Sequence, residues 1–559
     1  MKLQLKYLII LFLGLIVLGA CNNFLDPEPD GRRDEKLVFT EYTYALGFFA
    51  NIYGDLPTGF HPIDGAMEAC LTDEAEHSDQ MSSIQSYNNG SWNKQSFTDS
   101  WLWAKYYASL RKIAVFLDNV DDAKFVDPNT FNRSPELNGV YQERFKAESY
   151  FLRAFFYFEL VKRFGGVPLV PEKRLQITDE LNLPRNTFDE CVAYIVENCD
   201  LAAQSLPVKD EESLWIGHAT RASALALKSR VLLYAASPLN NPSNDTEKWI
   251  SAAKAAKAVL DLPGYGLISG DVIKTSGMFE IWNNFYNQEV LFAMPYFNNN
   301  DLEFKNFPVG FQKGKGLTNP TQNLVDAFET SNGEPINQSA QYNAQDPYNN
   351  RDPRLSYFIG YNGSVYNTRP IETYIGGLDG LNKDQNSTKT GYYLRKFLNM
   401  NANLAKNTQV ARHQWIHFRY AGILLNYAEA MNEAYGPSGS GNGLSENSLD
   451  AINQIRTRVG MSELNSGLNK DQLRERIQNE RRVELCFEGH RAWDVRRWKK
   501  GEQFNEPIKG MRITSDDTNF NYEVFNVEQR VFDASKMYLM PIPQGEILKS
   551  DKLEQNPNW

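Results

Sequence analysis

The chain is poor in the residues that most enzyme and metal chemistry is built from. Its 559 residues include five cysteines and six histidines. No two cysteines stand as Cys-x-x-Cys, so neither a zinc site nor a disulfide framework is signalled. Cys191 and Cys199 lie in one helical stretch, roughly 12 Å apart along its axis at helical rise, too far to bridge. With Cys70 and Cys486 they are expected as buried free thiols. There is no G-x-G-x-x-G, no Walker loop and no G-x-S-x-G elbow. Positive charge is not in excess. Lys and Arg number 58 against 69 Asp and Glu, a net charge of -11, which argues against nucleic acid and other polyanions as partners. His413 and His417 share an i,i+4 spacing, but Gln414-Trp415 replaces the glutamate a zinc hydrolase would need, and no third ligand is evident. They read as a pair on a helix surface. Asp516-Asp517-Thr518-Asn519 lacks the ligand spacing of a calcium loop. No cofactor is expected.

What is present is a folded body rich in aromatics. Hydrophobic residues make up 42%, charged residues 23%, and the mean hydropathy is -0.49, values of a packed soluble chain rather than a multi-span one. Aromatics reach 13%, with 10 Trp, 28 Tyr and 33 Phe. The surplus over core needs suits a protein that stacks on flat apolar faces, sugar rings among them. The first residues read as a processing signal. Lys2 and Lys6 precede an apolar run over 7–18, shorter than the ~20 residues of a membrane helix. The run ends in Leu18-Gly19-Ala20-Cys21, which resembles the bacterial lipobox. The alternative is an ordinary secretory signal with a chance cysteine. On the lipobox reading, residues 1–20 are removed and Cys21 carries diacylglycerol and an acylated amine. Acyl chains anchor strongly at ~0.8 kcal/mol per buried CH2. Residues 21–35, with Pro27 and Pro29, form the tether.

The segment the rest is organised around is 143–171, ERFKAESYFLRAFFYFELVKRFGGVPLVP. Phe145, Leu152, Phe155, Phe156, Leu160 and Phe164 recur at helical spacings, and the middle is apolar nearly all round, so this helix is expected inside a layer of others. Gly165, Gly166 and Pro168 end it. Helices are also predicted over 36–53, 101–120, 187–206, 219–236, 244–260, 413–435, 449–459 and 472–498. Thr187 with Glu190, Asn244 with Glu247, and Asn469 with Gln472 stand in capping positions. Paired helices with short joins look like a tetratricopeptide-type array. Residues 127–139 read as a loop. The charged residues of 480–498 are interleaved with Phe487, Trp493 and Trp498, so the pattern predicts a network fixing that helix to the scaffold rather than a polyanion site.

Two stretches break the helical texture. Residues 56–100 are polar and weakly periodic, and long irregular segments in packed proteins often carry function. Residues 267–408 crowd Asn, Gly, Pro and aromatics, with strands expected at 289–296, 357–359 and 391–397 and another at 537–542. The resulting division is a helical scaffold over 36–266, an irregular lobe over 267–408, and a second scaffold part over 409–559.

With these segments in place, the chain resembles the SusD/RagB family of outer-membrane glycan-binding lipoproteins. The resemblance rests on the lipobox at Cys21, RAFFYFELVKRFGGVPLV at 153–170, ERRVELCFEGHRAWDVRRW at 480–498, and YLMPIPQGEI with LEQNPNW within 538–559. The family often ends in Asn-Pro-Gly-Tyr, where this chain has Asn556-Pro557-Asn558-Trp559. The resemblance implies a mainly α SusD-like fold, with tetratricopeptide-like helix pairs and a loop-rich lobe of few short strands. It implies a lipid anchor in the outer membrane of a Bacteroidetes-type cell. It also implies a body facing outward over a SusC-like, TonB-dependent transporter, and capture of oligosaccharide without chemistry.

Sugar recognition needs aromatic faces for C–H-bearing ring faces and planar polar groups for hydroxyls. In the first loop Asp73, Tyr87, Trp92 and Asn93 fit, with Trp92 foremost. In the second lobe Trp282, Tyr286, Tyr296, Phe307 and Phe311 lie near positions that supply aromatic contacts in the family. Any one aromatic taken singly is more often core than platform. Three functions stay open at this level: glycan capture for a transporter, capture of peptide or another nutrient by the same fold, and a surface glycoside hydrolase.

Overall fold

The computed structural model describes residues 34–172, 174–176, 178–179, 182–210, 215–276, 278–285, 287–516 and 519–559. Cys21 and the tether up to residue 33 lie outside these. The described residues form two units, one within 34–51 and 119–142, the other within 52–118 and 143–559.

In the first unit the helix Glu35–Thr40 is capped by Asp34, whose carboxylate accepts from Leu37 N. The amide of Asn138 ties Phe125 N at 2.8 Å to Ala123 O at 2.9 Å. Residues 127–139 are not a loop. Asp127 caps the helix Pro128–Arg133, accepting from Asn129 N and Thr130 N, and a second helix, Glu136–Phe164, begins soon after. Asp followed by Pro at the first helical position is a start signal, but the polar face of both short stretches hid the apolar period.

In the second unit, residues 143–164 are the buried cylinder expected. Phe151, Leu152, Phe155, Phe156, Tyr157, Phe158, Leu160, Val161 and Phe164 are all buried. The helix stops at Gly165, whose φ is +74°. At Gly166 an added Cβ would stand 2.1 Å from Asn186 O, so only glycine lets the chain pass there. Four further helices pack in series. Phe188–Ser205 lies on Arg221–Ala236, which lies on Thr246–Leu260, and this packs against Tyr420–Tyr435. Tyr420–Tyr435 in turn carries Ser448–Arg458 and Lys470–Glu484. Each layer buries an apolar stripe that a lone helix would leave wet. The capping boxes at Thr187–Glu190 and Asn469–Gln472 are formed. At the third site Asp245, not Asn244, is the cap, while Asn244 takes a left-handed φ of 53° and accepts from the Trp249 indole.

The irregular stretch after 267 is tied to the helical array by an antiparallel ladder within the second unit. Val290–Asn299 pairs with Ala411–Arg419, with Met294 opposite Trp415. This corrects the reading of 413–435 as one helix: 411–419 is a strand buried along nearly its whole length, and the helix starts at Tyr420. His413 and His417 are therefore buried strand residues, and His413 Nε2 lies 2.9 Å from Glu303 Oε1. Among the described residues three further ladders are short. Ala75–His77 pairs with Thr318–Pro320, Ile359–Gly360 with Tyr393–Leu394, and Val365–Tyr366 with Arg369–Pro370. A hairpin of Ile508–Ser515 and Phe520–Glu528 went unread, and 537–542 is not a strand.

The expected helix 472–498 is two helices, Lys470–Glu484 and Arg491–Arg497. The break is tertiary in origin. Lys396, buried in the lobe, donates to Glu484 O at 3.0 Å and Cys486 O at 2.9 Å. Arg419 Nη2 also donates to Glu484 O at 2.9 Å. Two cations thus satisfy carbonyls the helix end leaves orphaned. Phe487 then turns through a φ of 64°. Around this break sits the predicted charge network. Glu484 accepts from Arg354, Arg419 and Arg458. Glu480 pairs with Arg354 and Arg456, and Glu488 with Arg419 and Lys396. Glu289 pairs with both Arg419 and Arg458. Burial alone would raise Glu484, but the three arginines hold it well below the usual carboxylate range.

The C-terminus also closes on the core. Asn558 has a φ of 65°, a conformation glycine and asparagine both adopt, which explains the exchange at that position. Trp559 donates its indole N–H to Lys536 O and Leu539 O.

Replacing Glu484 by Gln is expected to cost ~3–5 kcal/mol in urea unfolding, because it strands buried arginine charge. Glu475→Gln, which loses an exposed pair with Lys500, should cost no more than ~1 kcal/mol. Equal costs would contradict this reading of the network.

Candidate functional site

The irregular stretch 56–100 is pinned by buried ion pairs. Asp73 accepts from Arg491 Nε and Nη2, each at 2.9 Å, and from Arg482 Nη2 at 2.8 Å. Both arginines come from the motif at 480–498. Burial alone would raise Asp73, yet the two guanidiniums keep it well below the carboxylate range. Glu76 is held by Arg530. Next to Asp73, burial pushes Glu74 up to about 7 against those same cations. Its Oε1 is buried without a hydrogen-bond partner.

These pins settle where the expected binding residues lie. Asp73 is spent on Arg482 and Arg491. Tyr87 and Trp92 come together, stacked with centroids 5.0 Å apart. Trp92 is 3% exposed and covered by Trp559 at 4.5 Å. It is a core residue that seats the chain's own C-terminus, and it offers no free face to a sugar. Asn93 is exposed, but its carbonyl caps a turn through Gln95 N and Ser96 N. Phe307 is buried, and Phe311 packs on it with Arg369 4.1 Å above its ring. Tyr296 is half-buried beside Phe60 and His61. Trp282 is 2% exposed yet lines a cavity. Tyr286 lies outside the described residues.

The pinned loop closes over a larger cavity of about 380 Å³. Its walls are residues 54–63, the start of the helix Ser100–Asn119, the end of the central helix, and Trp415–His417 from the ladder. Gly59 lies flat on Trp415, where an added Cβ would stand 2.1 Å from the ring. Trp101 stands among the lining residues and is 55% exposed, with Lys105 5.2 Å from its ring. Trp101 was missed as a candidate. It falls off the face of Tyr106, Leu110 and Ile113, which a helical projection of 101–120 reveals.

The lining carries four acids, Glu68, Asp99, Glu159 and Glu488, and four bases, Lys105, Lys162, Arg163 and Arg230. The main pairs are internal: Lys162 and Arg163 each take one oxygen of Glu159, at 2.5 and 2.6 Å, and Arg163 reaches Asp99 at 3.0 Å. Burial would raise Glu159, but these cations hold it down to about 2. Burial raises Glu68, whose Oε1 accepts from the Trp493 indole at 3.0 Å. Tyr106 Oη and His417 Nε2 are buried with no hydrogen-bond partner. Burial keeps the His417 imidazole neutral, its pKa down at about 3. Balanced charge with unused neutral groups, His61 Nδ1 among them, suits an uncharged guest bearing hydroxyls. Among the described residues no group of three or more His, Cys, Asp or Glu is placed to hold a metal.

The comparisons agree along most of the chain. The sequence model of the SusD family matches residues 285–559. A second model, described as starch-binding associating with outer membrane, matches 23–233. SusD-like protein P38 of Formosa agariphila is 22% identical over 534 residues, 91% of this chain and 94% of that protein. The crystal structure of a SusD-like protein from Bacteroides fragilis superposes with a TM-score of 0.78 at 28% identity, covering 94% of this chain and 99% of the other. A SusD-like carbohydrate binding protein of the same species gives 0.74 at 22%, covering 92% and 99%. The chain belongs to the SusD/RagB family.

The folded chain holds the Glu74 proton more tightly than the unfolded chain does. The stability this supplies is complete below about pH 4.5 and is lost as pH rises through about 7. Glu74→Gln should therefore gain on the wild type by a few kcal/mol between pH 5 and pH 8, at ~1.4 kcal/mol per unit. Urea unfolding at the two pH values reads this, and a pH-independent difference would contradict it.

Proposed function

We propose that the protein is a non-catalytic cell-surface receptor. It captures oligosaccharide or polysaccharide and passes it to a partner SusC-like, TonB-dependent outer-membrane transporter. The observation that carries this reading is family membership across both halves of the chain, 23–233 and 285–559. The larger cavity supports it, being balanced in charge and flanked by the exposed ring of Trp101. Aromatic faces of that kind suit the C–H faces of sugars. The hydrolase alternative needs a carboxylate free to attack or to activate water. Glu159, between Lys162 and Arg163, has neither oxygen free for that role.

In this reading Cys21 is acylated and holds the body to the outer membrane. The scaffold of 36–266 and 409–559 meets the transporter. The lobe of 267–408 and the loop of 56–100 face the ligand, with Tyr296 and Phe311 as the half-buried aromatics of the original set that remain near solvent.

Titration of the full chain against a panel of neutral polysaccharides tests the proposal. Binding without any shortened product is expected, and Trp101→Ala should weaken it about tenfold, the loss of one aromatic contact of ~1.4 kcal/mol. Cys21→Ser should move the protein from the membrane fraction to the soluble one, without labelled fatty acid, and a β-barrel transporter should copurify with the wild type alone. Product release, or failure to bind any glycan, would overturn the proposal.

A further inference from the structure

The second cavity, of about 210 Å³, lies in the lobe and differs from the first in charge. Among the described residues no Asp or Glu lines it, whereas two cations do, Lys396 and Arg395. The ammonium of Lys396 is buried, and all three of its protons are engaged, by Glu484 O, Cys486 O and Glu488 Oε1. Its charge is therefore spent inside the protein. Arg395 differs. It is half-buried, and among the described residues it pairs with no carboxylate. Its Nη1 donates to Val365 O at 3.0 Å, and the guanidinium carbon stands 5.5 Å from the Tyr366 ring. Those contacts hold the group in place and leave its other edge unused. Nε and Nη2 make no hydrogen bond there and remain open to water. The indole N–H of Trp282, by contrast, is sealed from water and offers a guest nothing.

A guanidinium edge with two parallel N–H groups matches the two oxygens of a carboxylate, and the pair it forms is bidentate. The other reachable polar groups are neutral. Tyr357 Oη makes no hydrogen bond and is open to water, and Asn401 is exposed. These suit hydroxyls. Phe358 and Phe397 are buried at the floor, with Phe279 and Tyr357 half-buried at the rim. Such a surface suits the C–H face of a saturated ring. The volume is below that of pockets which take whole drug-sized ligands, so one ring unit enters rather than an oligosaccharide. The guest that fits has a C–H-bearing ring, hydroxyls and one carboxylate. Fields in physiological salt are screened over about 8 Å. The charge next to this cavity therefore sets its preference, and the net -11 of the whole chain does not.

We infer that the lobe cavity binds a hexuronic acid unit of an acidic glycan, its carboxylate held by Arg395 Nε and Nη2. This rests on the glycan-capture reading and deepens it. The larger cavity, balanced in charge, receives an uncharged unit, and the lobe cavity adds a site for an acidic one.

Ligand-observed NMR titration of the full chain tests this, with glucuronate, galacturonate and mannuronate each set against its own methyl ester. The ester keeps the ring, the hydroxyls and the carbonyl and removes the charge. At least one acid is expected to bind about tenfold tighter than its ester, by a margin that shrinks as salt is raised. Arg395→Gln should erase the margin. Arg395→Lys keeps the charge without the paired N–H edge and should restore only part of it. Met400→Trp fills the mouth of the cavity and should also erase the margin; it carries the test if Arg395→Gln does not fold, as read by circular dichroism. Acids that bind no better than their esters, or a margin unchanged in Arg395→Gln and Met400→Trp, overturn the inference. Neutral polysaccharides that still bind the same protein then leave glycan capture standing. Absence of binding to every sugar and polysaccharide, acidic or neutral, overturns both.

Discussion

Three glutamates spaced four positions apart, Glu480 and Glu484 on the helix and Glu488 past its end, collect cations from across the molecule. Arg354 and Lys396 come from the lobe, Arg419 from the ladder strand, and Arg456 and Arg458 from the helix before. All of them are buried. Such a cluster is a poor source of net stability, since taking charges out of water costs about what their pairing returns. Its effect is on position. A carboxylate at the wrong depth would be left buried and unpaired, so the lobe has one register against the helical array. That is why a lobe with few long elements needs no large core of its own.

The same device recurs wherever an irregular segment matters. Asp73 on Arg482 and Arg491, and Glu76 on Arg530, hold the first loop over the larger cavity. Lys396 ends one helix through its carbonyl contacts and also walls the smaller cavity. The cavity walls are thus built on loops and fixed by buried charge from elements far away in sequence. The receptor role proposed above gains from this arrangement. Loop chemistry can vary with the ligand while the arginines and glutamates behind it keep the frame.

Much of the frame was legible. The central helix, most of the array, two of the three capping pairs and the network at 480–498 follow from apolar period, cap chemistry and interleaved aromatics. What escaped depended on distant partners. Ala411–Arg419 is a strand because Val290–Asn299 pairs with it, and an i,i+4 histidine pair carries no sign of that. The break after Glu484 is written in Lys396, nearly ninety positions upstream. The candidate site residues were the least legible. Trp92 sits in a polar loop, as a platform would, and only the return of Trp559 from the end of the chain shows that its face is taken. Trp101 sits in a helix and reads as core until its direction is worked out. Trp282 looked like a platform and is instead a buried ring.

The central claim is that a charge-locked frame presents loops which alone respond to ligand. Hydrogen–deuterium exchange of the full chain, with and without a glycan it binds, tests that most directly. Protection is expected over 54–63, 98–105 and 395–401, with the helices Arg221–Ala236, Thr246–Leu260 and Tyr420–Tyr435 unchanged. Protection confined to those helices, or spread evenly over the chain, would contradict it.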